Sequence, residues 1–478
     1  MTQDLEVIIG LEIHAQIDTK SKFFSPADND SFGKEANTNV TAICMGMPGT
    51  LPVPSRQAIE KGAKAALALG CTLSKFSKFD RKNYFYPDLP YGYQISQFDE
   101  PISENGKVDI IVNGEKKSIG ITRLHLECDA GKLTHTGKDT LLDFNRAGTP
   151  LMEIVTDPDL RSPEEAKALA ESVQKILRYV GSSQCDMEKG MMRFDASVSL
   201  RPRGEDKLYP RAEIKNLNSF RSLESAIRYE IKRQTKLWEA GEPQDEEKTV
   251  GWDDERGTTE VMRSKESAAD YRYFPEPDIP PIVLTDEQIA EWSAEVPELP
   301  LAKYERFMSE LGLNDQEATY YTEDLALADL FEGTAKASGN TKASNSFVGT
   351  ILVKRLKDAG IQISESPVTE AHLVELIKLV DEGTISNNVA KSTVFDVMME
   401  KGEMPASIVE SQGLAQVSDT GAIEAMAQKA IDANPAIAND VREGKMKAIG
   451  ALVGFVMKES KGQANPGMVN DILKKLLL

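Results

Sequence analysis

Leu11-Glu12-Ile13-His14-Ala15-Gln16-Ile17 alternates strictly, with an apolar residue at every odd position. In an extended chain that period of two sends Glu12, His14 and Gln16 to one face, about 6.5–7 Å apart. Arg123-Leu124-His125-Leu126-Glu127-Cys128-Asp129 repeats the pattern, as does Arg193 to Arg201 with Asp195, Ser197 and Ser199 on its polar side. Arg211-Ala212-Glu213-Ile214-Lys215 is a shorter copy, and Leu151-Met152-Glu153-Ile154-Val155 sets one glutamate in an apolar strand. Several such strands predict an α+β fold around a half-buried antiparallel sheet.

The polar side of that sheet carries carboxylates, histidines and arginines, where ordinary solvated strands favour Thr, Lys and Ser. Glu153 stands out, because a charge amid Leu, Met, Ile and Val is costly unless paired or bound to metal. Carboxylates and a histidine converging on one face suit a hard divalent cation such as magnesium, shared with substrate phosphates. A metal–phosphate site and a solvated sheet face both account for the pattern. The chain has no GxxxxGK[ST] loop, no GxGxxG fingerprint and no GxSxG elbow, so any nucleotide would rest on the sheet itself.

Two helices interrupt the strand-rich region. Ser162-Pro163-Glu164-Glu165 reads as a capping box with proline at the first helical position. Leu169, Val173, Ile176, Leu177 and Val180 then share a face, and Gly181 ends the helix. A second helix is predicted from about Ser222 to Gly241, with Arg228, Lys232, Arg233 and Lys236 on a solvated side.

After Ile282 the pattern becomes helix upon helix. Thr285 to Gln288 forms a capping box ahead of Ile289, Trp292 and Val296, and Leu373, Leu376, Ile377 and Val380 mark another apolar stripe. Glu400 to Pro405 reads as a second linker. The expected parts are residues 1–292, a helical domain over 293–404 and a small helical tail over 405–478.

A chain of 478 residues has room for about three domains. Its 40% hydrophobic and 28% charged residues are ordinary for a globular protein and exclude a mostly disordered chain. No apolar run reaches the length of a membrane helix, and the N-terminus has no secretory pattern. Four cysteines without a CxxC pair argue for a reducing, cytoplasmic setting. The net charge of −20 argues against broad nucleic-acid binding but allows a local basic site. Beyond Val441, Arg442, Lys445, Lys447, Lys458, Lys461, Lys474 and Lys475 stand against Glu443, Glu459 and Asp471. On charge alone these read as a solvated helical face.

Longer motifs add a resemblance. Gly10-Leu11-Glu12-Ile13-His14, Lys78-Phe79-Asp80-Arg81-Lys82-Asn83-Tyr84-Phe85-Tyr86-Pro87-Asp88, Asp143-Phe144-Asn145-Arg146-Ala147-Gly148-Thr149-Pro150-Leu151, Lys215-Asn216-Leu217-Asn218-Ser219 and Asp270-Tyr271-Arg272-Tyr273-Phe274-Pro275-Glu276-Pro277-Asp278 closely resemble the GatB family of tRNA-dependent amidotransferase subunits. The likeness extends to Lys461-Gly462-Gln463-Ala464-Asn465-Pro466 in the tail. It implies a cradle of the glutamine-synthetase and guanidino-kinase type, then a helical domain and a helical tail. It implies a cytoplasmic heterotrimer in which the other members are an amidase subunit, the source of ammonia, and a third, small subunit; no membrane partner is implied. The implied reaction uses ATP and Mg2+ to activate the side-chain carboxylate of misacylated Glu-tRNA(Gln) or Asp-tRNA(Asn), then amidates it with ammonia from glutamine.

Carried over by position, Glu12, His14, Glu127 and Glu153 match the family's metal cluster. Asp195 and Glu213 match carboxylates for the nucleotide's magnesium, with Lys215, Asn216 and Asn218 lining the same pocket. Arg81 and Lys82, with Glu127, are the implied catalytic groups, beside the transferring phosphate or the ammonia exit. Charge and position in the tail together make Lys445, Lys447, Lys458 and Lys461 the expected tRNA contacts. The sequence departs from the pattern at Ser25, Ala27 and Thr41, where many members have cysteines that bind zinc with the equivalent of Cys44; no zinc is expected here. Tyr91 replaces a usual lysine, and Phe194 and Ser197 alter a motif that keeps Asp195. A non-catalytic tRNA-binding scaffold and a stand-alone carboxylate–ammonia ligase remain as alternatives.

Overall fold

The computed structural model describes residues 4–264, 270–416, 420–460 and 463–478. The chain divides into two compact units, Met1–Glu305 and Arg306–Leu478. The strands of the first unit run in chain order β1 (Leu5–Gln16), β2 (Thr72–Leu73), β3 (Phe76–Ser77), β4 (Asp80–Asn83), β5 (Tyr93–Ser96), β6 (Ser103–Val112), β7 (Glu115–Cys128), β8 (Lys132–Thr136), β9 (Asp139–Asp143), β10 (Pro150–Thr156), β11 (Met192–Pro202), β12 (Ala212–Leu217), β13 (Lys248–Asp253), β14 (Thr258–Ser264), β15 (Phe274–Pro275) and β16 (Ile282–Val283). Nine of them form one sheet in the order β14-β13-β12-β11-β1-β10-β7-β6-β2.

Alternation decides the two faces of this sheet. Leu11, Ile13, Leu124, Leu126, Ile154, Phe194 and Ala196 are buried in one core. Each large apolar side chain among them contributes about 1.5–3 kcal/mol by leaving water. Helices α1 (Arg56–Ala68), α2 (Pro163–Tyr179) and α3 (Phe220–Glu239) contribute to the same core. Helix α1 approaches the sheet closely through Gly62, where a Cβ would lie 2.5 Å from Leu126 Cδ2. The opposite face keeps the charged residues.

The sheet is antiparallel except for β12 beside β13, which run parallel. The antiparallel expectation is corrected at this one pair, for a physical reason: α3 lies between the two strands and carries the chain back to the starting end. The cap of α2 also differs from a full box. Ser162 accepts from the Glu165 amide, but the Glu165 carboxylate accepts from the Arg161 amide, 2.6 Å away, and not from Ser162. The expected solvated side of α3 is likewise only partly so. Arg228 pairs with Glu164 and Glu224, while Arg233 pairs with the fully buried Glu230. Helix α4 (Asp286–Ala294) has the capping box of Thr285 and Gln288, and Trp292 packs into the core of the sheet unit.

The second unit is helical. Tyr321 stacks on Phe331 at 3.8 Å, and its hydroxyl donates to Asn345 Oδ1 at 2.7 Å. The same hydroxyl would meet a Cβ at Gly349 at 2.3 Å, and the helix widens over Asn345–Leu352 where it passes. Leu373, Leu376 and Ile377 are buried as their spacing predicts. Met404 and Pro405 form a helix junction, since the helix Pro405–Gln412 starts at the proline and buries Ile408 and Val409. A separate small core of Ile423, Ala427, Leu452, Val456, Val469 and Leu473 holds the tail helices together.

Candidate active site

Strand register turns four alternating sequences into one row. Arg193 on β11 stands opposite His14 on β1, His14 opposite Glu153 on β10, and Glu153 opposite His125 on β7. Glu127 lies one step along β7. Nε2 of His14 is 3.2 Å from Glu153 Oε2 and 4.0 Å from Glu127 Oε1. Nε2 of His125 is 3.6 Å from Glu153 and 3.8 Å from Glu127. One ligand atom from each of His14, Glu127 and Glu153 falls within 4.8 Å of the others.

All three are buried, yet the charges persist. Burial raises the Glu153 carboxyl, but His125, the His14 hydrogen bond and Lys82 outweigh it and hold the group well below its usual value. Glu127 is lowered in the same way, burial being overcome by His125 and Lys82. Burial pushes the His14 imidazole down, and Glu153 and Glu127 bring it back above its ordinary value. Nδ1 of His14 is buried without a partner. Two ionised carboxylates and an imidazole fit a divalent cation: the oxygens suit Mg2+ or Mn2+, and the nitrogen suits a transition ion.

A second cluster adjoins the row. Lys215 Nζ lies 2.8 Å from Asp195 Oδ2, 2.6 Å from Glu213 Oε1 and 3.9 Å from Glu12 Oε2. The Asn216 amide, on a left-handed residue, donates to Asp195 Oδ1 at 2.7 Å. Asn218 is exposed. Glu12 is thus one row from His14 and Glu153 and two rows from Glu127, and sits on the side of His14 nearer the Lys215 cluster. Burial and the nearby Glu153, Glu213 and Asp195 raise its carboxyl, against the pull of Lys215.

Beyond Asp195 the same face opens into a cavity of about 960 Å3, lined by Gly10, Glu12, Ser197, Ser199, Tyr209, Arg211 and Gln244 among others. Strand β4 supplies the neighbouring cation. Lys82 feels Glu127 and Glu153, which keep its ammonium charged despite burial, and its Nζ is 5.0 Å from the Tyr271 ring. Tyr271 packs edge-on to Tyr84 and to Tyr273, and Tyr273 stacks on Phe98. Alternation sends Arg81 the other way. Its guanidinium grips Glu276 at 2.7 and 2.9 Å, reaches Asp278 at 3.3 Å and lies over the Tyr93 ring. Arg81 is therefore not among the groups brought to the row, whereas Arg193, His125 and Asp129 are, although sequence reasoning gives none of these a role. Their places in the alternating strands are the available signal.

The positions of the expected missing zinc site do come together. Ser25 Oγ is 3.0 Å and Thr41 Oγ1 3.3 Å from Cys44 Sγ, beside the buried Lys22, whose Nζ donates to the Asn39 carbonyl at 2.9 Å. One thiol, two hydroxyls, the Ala27 methyl and an ammonium are not a zinc donor set. Tyr91 closes over the same loop, donating to the Ile43 carbonyl and stacking on Tyr93.

In the tail, Lys445 pairs with Asp440 at 2.7 Å. Lys447 and Lys458 are exposed. Lys461 lies outside the described residues.

Comparison with known proteins gives the family of the chain. The family described as the GatB/GatE catalytic domain matches residues 7–290, and the one described as the GatB domain matches residues 329–477. The GatB-type subunit of the aspartyl/glutamyl-tRNA(Asn/Gln) amidotransferase of Carboxydothermus hydrogenoformans is 46% identical over 480 residues, covering 99% of each chain. The proteins of the same description from Caldanaerobacter subterraneus and Thermotoga maritima are each 47% identical, covering 99% and 98% of both chains.

Proposed function

The chain belongs to the GatB family, and we propose that its open sheet face activates the side-chain carboxylate of a misacylated tRNA. As the GatB member of an aspartyl/glutamyl-tRNA(Asn/Gln) amidotransferase it is part of a ligase that forms a carbon–nitrogen bond. The observation that carries the reading is the buried, ionised row of His14, Glu153 and Glu127 beside the Asp195–Lys215–Glu213 cluster and its cavity. A scaffold that only held tRNA would have no use for buried carboxylates kept charged at a cost in desolvation.

In this reading ATP occupies the cavity, with its phosphates running along β11 from Ser199 and Ser197 towards Asp195. His14, Glu127 and Glu153, with Glu12 alongside, hold one divalent cation, and Asp195 and Glu213 hold the Mg2+ of the nucleotide. Bound metal supplies charge neutralisation for phosphoryl transfer. The substrate carboxylate attacks the γ-phosphorus, ADP leaves, and ammonia displaces phosphate from the acyl phosphate to give the amide. Lys215 keeps the Asp195 and Glu213 carboxylates oriented and prevents their mutual repulsion. Lys82, under its aromatic roof and facing Glu127, stands where the incoming nitrogen would be met, and Glu127 can accept its proton. Arg81 acts as a positioning residue by fixing the segment from Phe274 to Asp278.

Asn216 and Asn218 border the nucleotide pocket. Ammonia comes from a separate amidase subunit, while a third, small subunit completes the heterotrimer. The sheet unit takes the part of a glutamine-synthetase-type cradle. Lys445, Lys447, Lys458 and Lys461 present the tail to tRNA, and the work in translation sets the protein in the cytoplasm. No helix among the described residues is long and apolar enough to cross a membrane. The test is ATP cleavage by the assembled complex with and without Glu-tRNA(Gln) or Asp-tRNA(Asn). Cleavage that depends on the charged tRNA is expected; cleavage indifferent to it would point to a stand-alone ligase, and none at all to a scaffold.

A further inference from the structure

A face holding Glu12, Glu127, Glu153, Asp195 and Glu213 must still admit a substrate that is itself a carboxylate. Bound cations can answer the phosphates of ATP, but the acceptor needs a fixed partner of its own. Lys215 is committed to Asp195 and Glu213 at 2.8 and 2.6 Å. Arg146 donates to the carbonyls of Ala130 and Gly131 at 3.0 and 2.8 Å. Arg123 is turned onto the His125 ring. Lys82 lies under Tyr271.

Arg193 differs. It is the β11 neighbour of His14, and its guanidinium has Asp129 Oδ1 at 3.5 Å, beyond the length of a strong charge-assisted bond. Asp129 is buried and shared with Gln16 at 3.2 Å and Arg146 at 3.5 Å, so it steers Arg193 without consuming its donors. A quarter of the Arg193 side chain remains exposed. Position along the strand completes the argument. Ser199 and Ser197 line the cavity, Asp195 follows, and Arg193 comes next on the same face, each step about 6.5–7 Å. A nucleotide lying from Ser199 to Asp195 leaves the acceptor at Arg193.

We infer that Arg193 binds the side-chain carboxylate of the aminoacyl group through its two-pronged guanidinium, making it the residue that separates the acidic substrate from the amide product. This rests on the carboxylate-activating function proposed above. An amide cannot return two charge-assisted bonds to the fork, so the product binds less tightly and leaves.

The experiment uses the complete amidotransferase with R193M and R193K, each compared with wild type by thermal melting. Without ATP, wild type should hold Glu-tRNA(Gln) about ten- to a hundredfold more tightly than Gln-tRNA(Gln), and R193M should hold both alike. In turnover, KM for Glu-tRNA(Gln) should rise by at least about tenfold in R193K, which keeps the charge but loses the fork, while KM for ATP stays within about twofold. If R193M does not fold, R193K carries the test. Unchanged discrimination and an unchanged KM for Glu-tRNA(Gln) would overturn the assignment. So would a rise in KM for ATP equal to that for charged tRNA, which would place the guanidinium on the phosphates. Failure of the wild-type complex to cleave ATP with charged tRNA would instead refute the underlying function, and wild type alone shows that.

Discussion

His14 and Glu153 face one another across β1 and β10, with Nε2 and Oε2 3.2 Å apart and both side chains almost wholly buried. An isolated pair of this kind would cost desolvation energy for little return. With Glu127 4.0 Å from the same nitrogen, the two carboxylates and the imidazole form a donor set for a cation. E153Q and E127A should each lower tRNA-dependent ATP cleavage by more than about a hundredfold, the scale of losing a group that stabilises transferring phosphate. Glutaminase activity of the assembled complex should stay measurable. Unaltered ATP cleavage in both variants would remove the metal assignment.

Lys215 gives a second prediction. Its ammonium is held charged, burial being overcome by Asp195, Glu12 and Glu213. K215M leaves those carboxylates facing each other without a cation and removes the charge that draws the Glu12 carboxyl down, so that carboxyl rises further. KM for ATP should increase by about tenfold or more at pH 7. Part of the loss should be recovered at higher pH, where the Glu12 carboxyl ionises again. A KM for ATP equal to that of wild type across about pH 6–9 would show that the cluster does not hold the nucleotide.

The sheet and its chemical face are legible in the sequence because alternation is local: each strand declares its own polar side. Which polar residues become neighbours depends on register, and register passes through irregularities such as those at Val155–Thr156 and between Phe194 and Ala196. Sequence alone accordingly does not show that His14 meets Glu153, or that Glu12 stands opposite Asp195 and near Lys215. Arg81 and Lys82 read as a pair because they are adjacent, yet a strand sends adjacent residues to opposite sides. The parallel pair β12–β13 escapes a reading by alternation, although a strand, a helix and a strand follow in order, the usual mark of a crossover.

The Cys44 group supplies a prediction about metal. Burial raises the thiol, but hydrogen bonds from Ser25 and Thr41 and the charge of Lys22 leave it below its ordinary value. K22M should push the thiol up, read as a shift in the pH at which thiolate absorbance appears. A chelator should leave the melting temperature unchanged within about 1 °C, since Cys44 is the one thiol of that group and zinc is not expected to contribute to folding. Stoichiometric zinc by elemental analysis of the purified protein would contradict this.

In the second unit Glu332 accepts from both ends of the Arg306 guanidinium, at 2.6 and 2.9 Å. Arg306 and Lys336 hold its carboxyl down at about 2 against an opposing effect of burial, where an unfolded glutamate has about 4.3. A depressed carboxylate stabilises fully above the unfolded value and loses that contribution as pH falls through the folded one. E332Q should therefore cost about 2 kcal/mol at pH 7, after allowance for solvent screening. The gap to wild type should close between about pH 4.3 and pH 2. A constant gap over that range would show that packing, not charge, is what the substitution removes.

The tail lysines give the last prediction. With a net charge of −20, the protein must confine tRNA contact to local basic surface, because the rest repels phosphate. Lys445 is engaged with Asp440, which leaves Lys447, before the helix Ile449–Glu459, and Lys458, near its end, as the exposed candidates for tRNA contact. A helical module of this kind meets a folded RNA mainly by shape and phosphate contact. The informative truncation is a cut after Gln416. A cut after Met404 would also remove Ile408 and Val409 from their buried places. Loss of residues beyond Gln416 should weaken binding of charged tRNA strongly while glutaminase activity and assembly persist. K447E/K458E should leave folding intact, because both side chains are exposed, and should reduce the slope of log affinity against log salt by about 1.4 to 1.8, two phosphate contacts' worth of released counterions. Equal affinity and equal slope in the double variant would show these lysines to be a solvated face, as their charge alone suggests.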